Sequence, residues 1–131
     1  MGGRTAPYSN AILIRSGTGL VFVSGQVAFD GQGNICGDDI ESQADLTLRN
    51  LVGVLHAAGS APEHIVKLTA FLARREYVDA YVEARERLLL ACRPASTTVI
   101  AELVRPEMLI EVEAVAVVPE SRAERPCGSS E

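Results

Sequence analysis

Glu111 and Glu113 stand one strand repeat apart in the run Ile110-Glu111-Val112-Glu113. On a strand that spacing puts both carboxylates on one face, with about 6.5–7 Å between their backbones. Two carboxylates that close, in a cleft shielded from water, tend to leave one protonated, ready to give or take a proton. The same spacing also suits two carboxylates turned to solvent or paired with cations. Alternation groups further polar residues, Ser24 with Gln26, Lys67 with Thr69 and Ser96 with Thr98, each pair on a single strand face. Other chemistry is thinly supplied. The three cysteines, Cys36, Cys92 and Cys127, form no CxxC pair, and the two histidines, His56 and His64, lack the i, i+4 spacing of helical ligands. No metal site is therefore expected, and the cysteine pattern fits reduced thiols in a cytoplasm. Cys92 has no histidine near it in sequence to activate it as a nucleophile.

The elements that must position these residues follow from periodicity. Ala11 to Arg15 and Leu20 to Phe29 read as a hairpin about Gly17-Thr18-Gly19, and Asp30-Gly31-Gln32-Gly33-Asn34 forms a second turn. Ile40, Ala44, Leu48, Leu51, Leu55 and Ala58 recur at helical steps, an amphipathic helix with a capping box at Asp38 and Glu41 and a C-terminal stop at Gly59. Ile65 to Leu72 alternates as a strand. Glu76 to Ala91 returns to helical spacing, with Tyr77, Tyr81, Ala84 and Leu88 inward, and stops at Arg93-Pro94. Thr97 to Leu103 and Leu109 to Val118 are two last strands about a turn at Arg105-Pro106. The order ββαβαββ predicts an α+β domain with two helices on one face of the sheet. On the other face the polar pairs are mixed with Phe22, Phe71 and Ile100, which suggests burial against further subunits; a solvated face is the alternative.

Composition narrows the partners. The chain has 131 residues, 47% hydrophobic and 22% charged, enough for one core. We expect a single domain over residues 1–118 and a disordered tail over 119–131. With 12 basic against 17 acidic residues and a formal charge of −5, neither nucleic acid nor an anionic membrane surface is the expected partner. No signal peptide, myristoylation site or apolar run of spanning length is read from the chain.

Several stretches together resemble one family. They are Pro7-Tyr8-Ser9-Asn10, Val21-Phe22-Val23-Ser24-Gly25-Gln26-Val27, Gly37-Asp38-Asp39-Ile40-Glu41-Ser42-Gln43 with Leu48 and Asn50, and Ala58-Gly59-Ser60. Ile65-Val66-Lys67-Leu68-Thr69-Ala70-Phe71-Leu72 and Ile110-Glu111-Val112-Glu113-Ala114-Val115-Ala116-Val117 complete the set. In order and spacing they resemble the Rid (reactive intermediate deaminase, YjgF-like) family from about Pro7 to Val118. The resemblance implies a chorismate-mutase-like fold with a mixed sheet, assembled as a homotrimer with small-molecule pockets between subunits. It implies hydrolysis of enamines and imines to a keto acid and ammonia, without metal or organic cofactor. It assigns Tyr8, Ser24 and Glu111 as catalytic residues and places Gly25 in the pocket, beside the Ser24 it assigns.

One family residue does not carry over. The family's Pro-Ala-Arg-Ser/Thr reads Pro94-Ala95-Ser96-Thr97 here, so Ser96 stands where an arginine would bind the substrate carboxylate; Arg85 stands where the family has tyrosine. A planar fork of charge-assisted bonds is replaced by one hydroxyl, so turnover of the usual α-imino acids is not expected. Ser96 and Thr98 are expected to line the pocket, with Arg93 or Arg105 as candidate replacements for the arginine. The leading expectation is acid–base chemistry on another enamine, imine or carbonyl compound. A non-catalytic small-molecule-binding trimer is the alternative, and endoribonuclease activity a more remote one.

Overall fold

The computed structural model describes residues 19–90 and 93–119. Tyr8, the first predicted strand, Cys92, Cys127 and the tail beyond residue 119 lie outside the described residues. Six main elements follow in order: β1 (Gly19–Gln26), α1 (Ile40–Ala57), β2 (Ile65–Leu72), α2 (Val78–Leu88), β3 (Ala95–Ile100) and β4 (Ile110–Val118). Short 3₁₀ turns at Pro62–His64 and Arg75–Tyr77 lead into β2 and α2.

The sheet has the order β1-β4-β2-β3. β4 runs antiparallel to both β1 and β2, while β2 and β3 are parallel and joined through α2. The described residues therefore form a mixed four-stranded sheet, with β4 inserted between two strands that the α1 crossover connects. Both helices pack on one face. α1 buries Ile40, Gln43, Ala44, Thr47, Leu48, Leu51 and Leu55, the stripe that its spacing dictates. These meet Val23, Leu68, Ala70, Leu72, Ile110, Val112, Ala114 and Ala116 from the strands, joined by Tyr81 and Ala84 of α2.

Local chemistry sets the boundaries. Helix α1 starts one residue later than a cap at Asp38 would require. Asp39 is the N-cap, its Oδ1 accepting from the Ser42 backbone N–H at 2.8 Å, so Ser42 and not Glu41 occupies the third helical position. The helix ends as expected at Gly59, whose φ of 82° is costly for other residues. Gly59 N–H donates to His56 O and Ser60 N–H to Leu55 O, the paired closure of a Schellman motif. Helix α2 is shorter than the predicted Glu76 to Ala91, because Leu89 leaves the helical region at φ −121°, ψ 42° and turns into the core. Strand β3 begins and ends earlier than predicted. Its partners in β2 run from Lys67, opposite Ala95, to Leu72, opposite Ile100; beyond Leu72 no β2 residue remains to pair with.

Among the described residues no helix is long and apolar enough to cross a membrane.

Candidate functional site

The uncovered face of the sheet carries the polar chemistry. Glu111 lies opposite Phe71 and Glu113 opposite Thr69, both on the side away from the helices. Strand β1 is bulged at their level. Val23 pairs with Ala114 and Gln26 with Val112, so Ser24 and Gly25 together face the single residue Glu113. Gln26 Nε2 closes the bulge by donating to Ser24 O at 3.0 Å.

Gly25 leaves the space that a carboxylate fills. A Cβ there would stand 2.8 Å from Glu111 Cδ, so the carboxylate lies directly over the glycine backbone. Glu111 is half-buried and Glu113 exposed. Together with Gly25, Phe71 and the segment Ala101 to Val104 they line an open cleft of about 420 Å³. Glu102 adds a third carboxylate to its wall, and none of the described lining residues is basic. An aromatic floor, one carboxylate held against backbone and two more at the rim suit a small ligand to or from which a proton is moved.

The structure brings only part of the predicted set to this cleft. Glu111 and Gly25 line it, and Ser24 is the exposed neighbour in the bulge. Ser96 and Thr98 are a correction, since alternation had placed them on the same face as Glu111. Ser96 pairs with Leu68 and Thr98 with Ala70, two core residues, so both point to the helix-covered side. Parallel pairing with β2 sets that register, and the residues that β3 turns to the open face are Thr97 and Val99, opposite Thr69 and Phe71. Lys67 confirms it, donating from Nζ to Thr97 Oγ1 at 2.7 Å.

Neither candidate arginine lines the Glu111 cleft. Arg93 is exposed ahead of Pro94. Arg105 donates to Glu107 Oε1 through Nε and Nη2 at 3.2 and 3.0 Å, with its guanidinium 5.9 Å from the Phe29 ring centroid. It borders a neighbouring hollow of about 330 Å³ that shares Glu102 and Leu103 with the cleft. The guanidinium that does reach Ser96 is that of Arg85, whose Nη1 donates to Ser96 Oγ at 2.8 Å. Arg85 is buried in α2, 6% exposed. Its position was legible, because residue 85 is one helical turn beyond Tyr81 on the same inward stripe.

The approach to β4, which follows the segment that walls the cleft, is held by one buried amide. Gln43 Nε2 donates to Gly37 O and Glu107 O, both at 2.8 Å, and its Oε1 accepts from Leu109 N–H at 2.9 Å. These bonds tie the start of α1 to the approach of β4. Sequence reading did not single out Gln43, although a glutamine on an otherwise apolar helical stripe is the signal for such a clamp.

Comparison with known proteins agrees with this architecture. A family profile described as Endoribonuclease L-PSP matches residues 3–118. The chain is 41% identical over 95 residues to the mitochondrial protein mmf2 of Schizosaccharomyces pombe, covering 72% of each chain. It is 28% identical over 116 residues to human 2-iminobutanoate/2-iminopropanoate deaminase, covering 88% of this chain and 82% of that one. A protein of unknown function of the conserved Rid family from Yersinia pestis superposes with a TM-score of 0.72 at 29% identity, over 84% of this chain and 86% of that one. A match that runs through β1, both helices and the Glu111 strand leaves one assignment: the chain belongs to the Rid (YjgF-like) family.

Proposed function

We propose that this protein acts on a small enamine, imine or related carbonyl compound by acid–base chemistry at Glu111. The observation that carries the reading is the Glu111 carboxylate lying over Gly25 in an open cleft floored by Phe71. Ionised Glu111 accepts a proton from water as the water oxygen bonds to the C=N carbon. The protonated carboxyl then returns that proton to nitrogen to give a carbinolamine, whose hydroxyl proton passes through the same carboxylate to the amine as the C–N bond breaks, and ammonia and a carbonyl compound leave. Human 2-iminobutanoate/2-iminopropanoate deaminase, a relative by sequence, bears the name of this reaction class.

The cleft completes itself in a homotrimer. Leu20, Phe22 and Val99 share the open face and are 45%, 75% and 38% exposed, an apolar stripe suited to burial against further copies of the chain. Ser24 is placed to touch the ligand from the bulge, and Ser96 and Thr98 from the β3 edge of a neighbouring copy, since in one chain the sheet separates them from Glu111. No metal or organic cofactor takes part in this chemistry, and a compartment that keeps Cys36 reduced, such as the cytoplasm, suits the chain.

The test is a panel of imines and enamines generated in solution and followed by ammonia release, with wild-type protein and Glu111→Gln. Turnover by the wild type and a loss of at least a hundredfold in the variant support the reading. No turnover of any substrate overturns it, and stabilisation by a compound recovered unchanged then identifies a binding protein. Degradation of RNA by the purified protein, undiminished in Glu111→Gln, would replace it with the nuclease activity that the family profile's name carries.

A further inference from the structure

The cleft that holds Glu111 carries more negative charge than one proton transfer needs. Glu102 and Glu113 share its wall with Glu111, and none of its described lining residues is basic. We infer that this cleft selects a cationic ligand and that Glu102 is the residue that sets the preference. The substrate is an imine, enamine or carbonyl compound that bears an ammonium-type group and no carboxylate. This rests on the reading above that such a compound reacts at Glu111, and it adds the charge that the compound carries.

Two features other than the count of carboxylates favour a cation. The first is the floor of the cleft. Phe71, opposite Glu111 in the sheet, is half-buried and borders the same space, and the face of an aromatic ring attracts an ammonium group. The second is that the protein does not neutralise the acids itself. Among the described residues no cation forms an ion pair with Glu102, Glu111 or Glu113. Arg105 borders the neighbouring hollow together with Glu102, yet its guanidinium is bonded to Glu107 at 3.0 Å. Lys67 shares a smaller hollow with Glu113, and its Nζ donates to Thr97 Oγ1.

Dimensions make the charge effective. A compact space of about 420 Å³ is about 9 Å across, close to the Debye length of about 8 Å at physiological salt, so mobile ions cancel little of the field inside it. A ligand carboxylate entering there meets like charges, an arrangement that suppresses binding. Glu102 separates this selection from the chemistry. Glu111 lies over Gly25 and serves the reacting carbon, and Glu113 has Lys67 beside it. Glu102 stands exposed on the loop after β3, outside every strand and helix, where it borders the cleft without holding the fold. A serine at position 96 in place of the family's arginine acts in the same direction, away from carboxylate-bearing substrates.

The experiment titrates the full chain calorimetrically with three methyl ketones: acetonyltrimethylammonium, its neutral carbon isostere neopentyl methyl ketone, and the anion levulinate. Wild-type protein is expected to bind the cation at least tenfold more tightly than the neutral isostere, and the anion most weakly. Glu102→Gln is expected to cut the ratio of cation to neutral affinity at least threefold while leaving the neutral ketone's affinity unchanged. Glu86→Gln, which removes an exposed carboxylate on α2, is expected to keep the wild-type ratio. A wild-type ratio near one overturns the proposal, and so does a ratio that Glu102→Gln leaves unmoved. An equal fall in Glu102→Gln and Glu86→Gln also overturns it, because net charge alone would then account for the preference. Tightest binding of levulinate does the same, and would mean that a second copy of the chain brings a cation to the cleft. A cation preference that collapses in Glu102→Gln, in a protein that turns over no imine, leaves the charge selection standing and removes the catalytic reading. Faster turnover of an α-imino acid than of a cationic imine keeps the catalytic reading and removes the charge selection.

Discussion

The two faces of the sheet are made by the same four strands and finished in opposite ways. On the helix-covered face Leu48, Leu51, Leu55, Leu68, Leu72, Ile110 and Val112 are fully buried, whereas on the open face Phe22 is 75% exposed and Glu113 is exposed. Alternation along each strand thus divides the chain's work: one set of residues holds the fold, and the residues between them form the uncovered face on which we propose that a ligand and further copies of the chain bind. β4 shows the division most plainly. Ile110, Val112, Ala114 and Ala116 belong to the core, and Glu111 and Glu113 interrupt them on the other side.

The sharpest way to break this comparison is to shorten one residue on each face. Leu48→Ala removes a fully buried side chain and is expected to cost about 2–5 kcal/mol, measured by urea unfolding. Phe22→Ala, measured at a dilution where chains are apart, is expected to change stability by no more than about 0.5 kcal/mol. At higher concentration the same variant should weaken self-association, seen by sedimentation. If Phe22→Ala unfolds the dilute chain as readily as Leu48→Ala, the open face is part of the core and the division is wrong.

Gln43 tests how firmly the core face supports the other one. Gln43→Leu keeps the bulk but leaves Gly37 O, Glu107 O and Leu109 N–H without their buried partner. The expected loss is about 3 kcal/mol, since each stranded polar group retains its desolvation cost. Hydrogen exchange should quicken first at Leu109. Exchange that is unchanged there would show that the amide does not fasten the approach to β4.

Gly25→Ala probes the open face alone. The new methyl group would meet Glu111 Cδ at 2.8 Å, and the carboxylate, at the end of a flexible side chain, would move aside. Because Gly25 is exposed, stability should change by less than about 1 kcal/mol. A displacement on the order of 1 Å at the reacting group can cost about a hundredfold in rate, so turnover should fall by ten- to a hundredfold at nearly constant melting temperature. A fully active Gly25→Ala protein would mean that the contact between Glu111 and the bulge has no part in the chemistry.

Sequence alone made the core face legible and the site only in part. Regular steps in α1 and alternation in β2 are repeated signals, and both elements appear where those signals put them, apart from the capping shift to Asp39. The face that carries Glu111 was legible because its strand alternates cleanly, while only the family resemblance set Glu111 apart from Glu113. Ser96 went to the wrong face because parallel pairing with β2, a contact between distant segments, sets the register of β3. Pro94 gives no local clue to that register. Glu102 enters the cleft from a segment without period, and Arg85, a departure from the family pattern, is a charged residue on an inward helical stripe whose burial only the structure shows.

The smallest expected effect concerns surface charge, and it bears on how the two helices of the covered face are joined at their rim. Asp45 of α1 accepts from Arg49 Nε and from Arg87 Nη1 of α2, each at 2.7 Å. The Arg49 hydrogen bond, then that of Arg87, holds its carboxyl below the usual aspartate range. Asp39 is lowered by the Ser42 hydroxyl and backbone, and Asp30 by the backbone N–H groups of Asn34 and Gln32. Each of these groups binds a proton less readily folded than unfolded, so its contribution is complete above the unfolded value, about pH 4. It is lost as the pH falls through the lower folded value, and acid therefore favours unfolding. The arginine side chains are 59% and 53% exposed, and solvent screening limits the Asp45 cluster to no more than about 1 kcal/mol. Asp45→Asn should accordingly lose little stability at neutral pH and show a shallower decline between about pH 5 and pH 2 than the wild type. High salt should narrow the difference between the two proteins. An acid-unfolding curve for Asp45→Asn that superimposes on the wild type at low salt would show that the two arginines add nothing to the joint between α1 and α2, leaving it to the apolar stripe beneath.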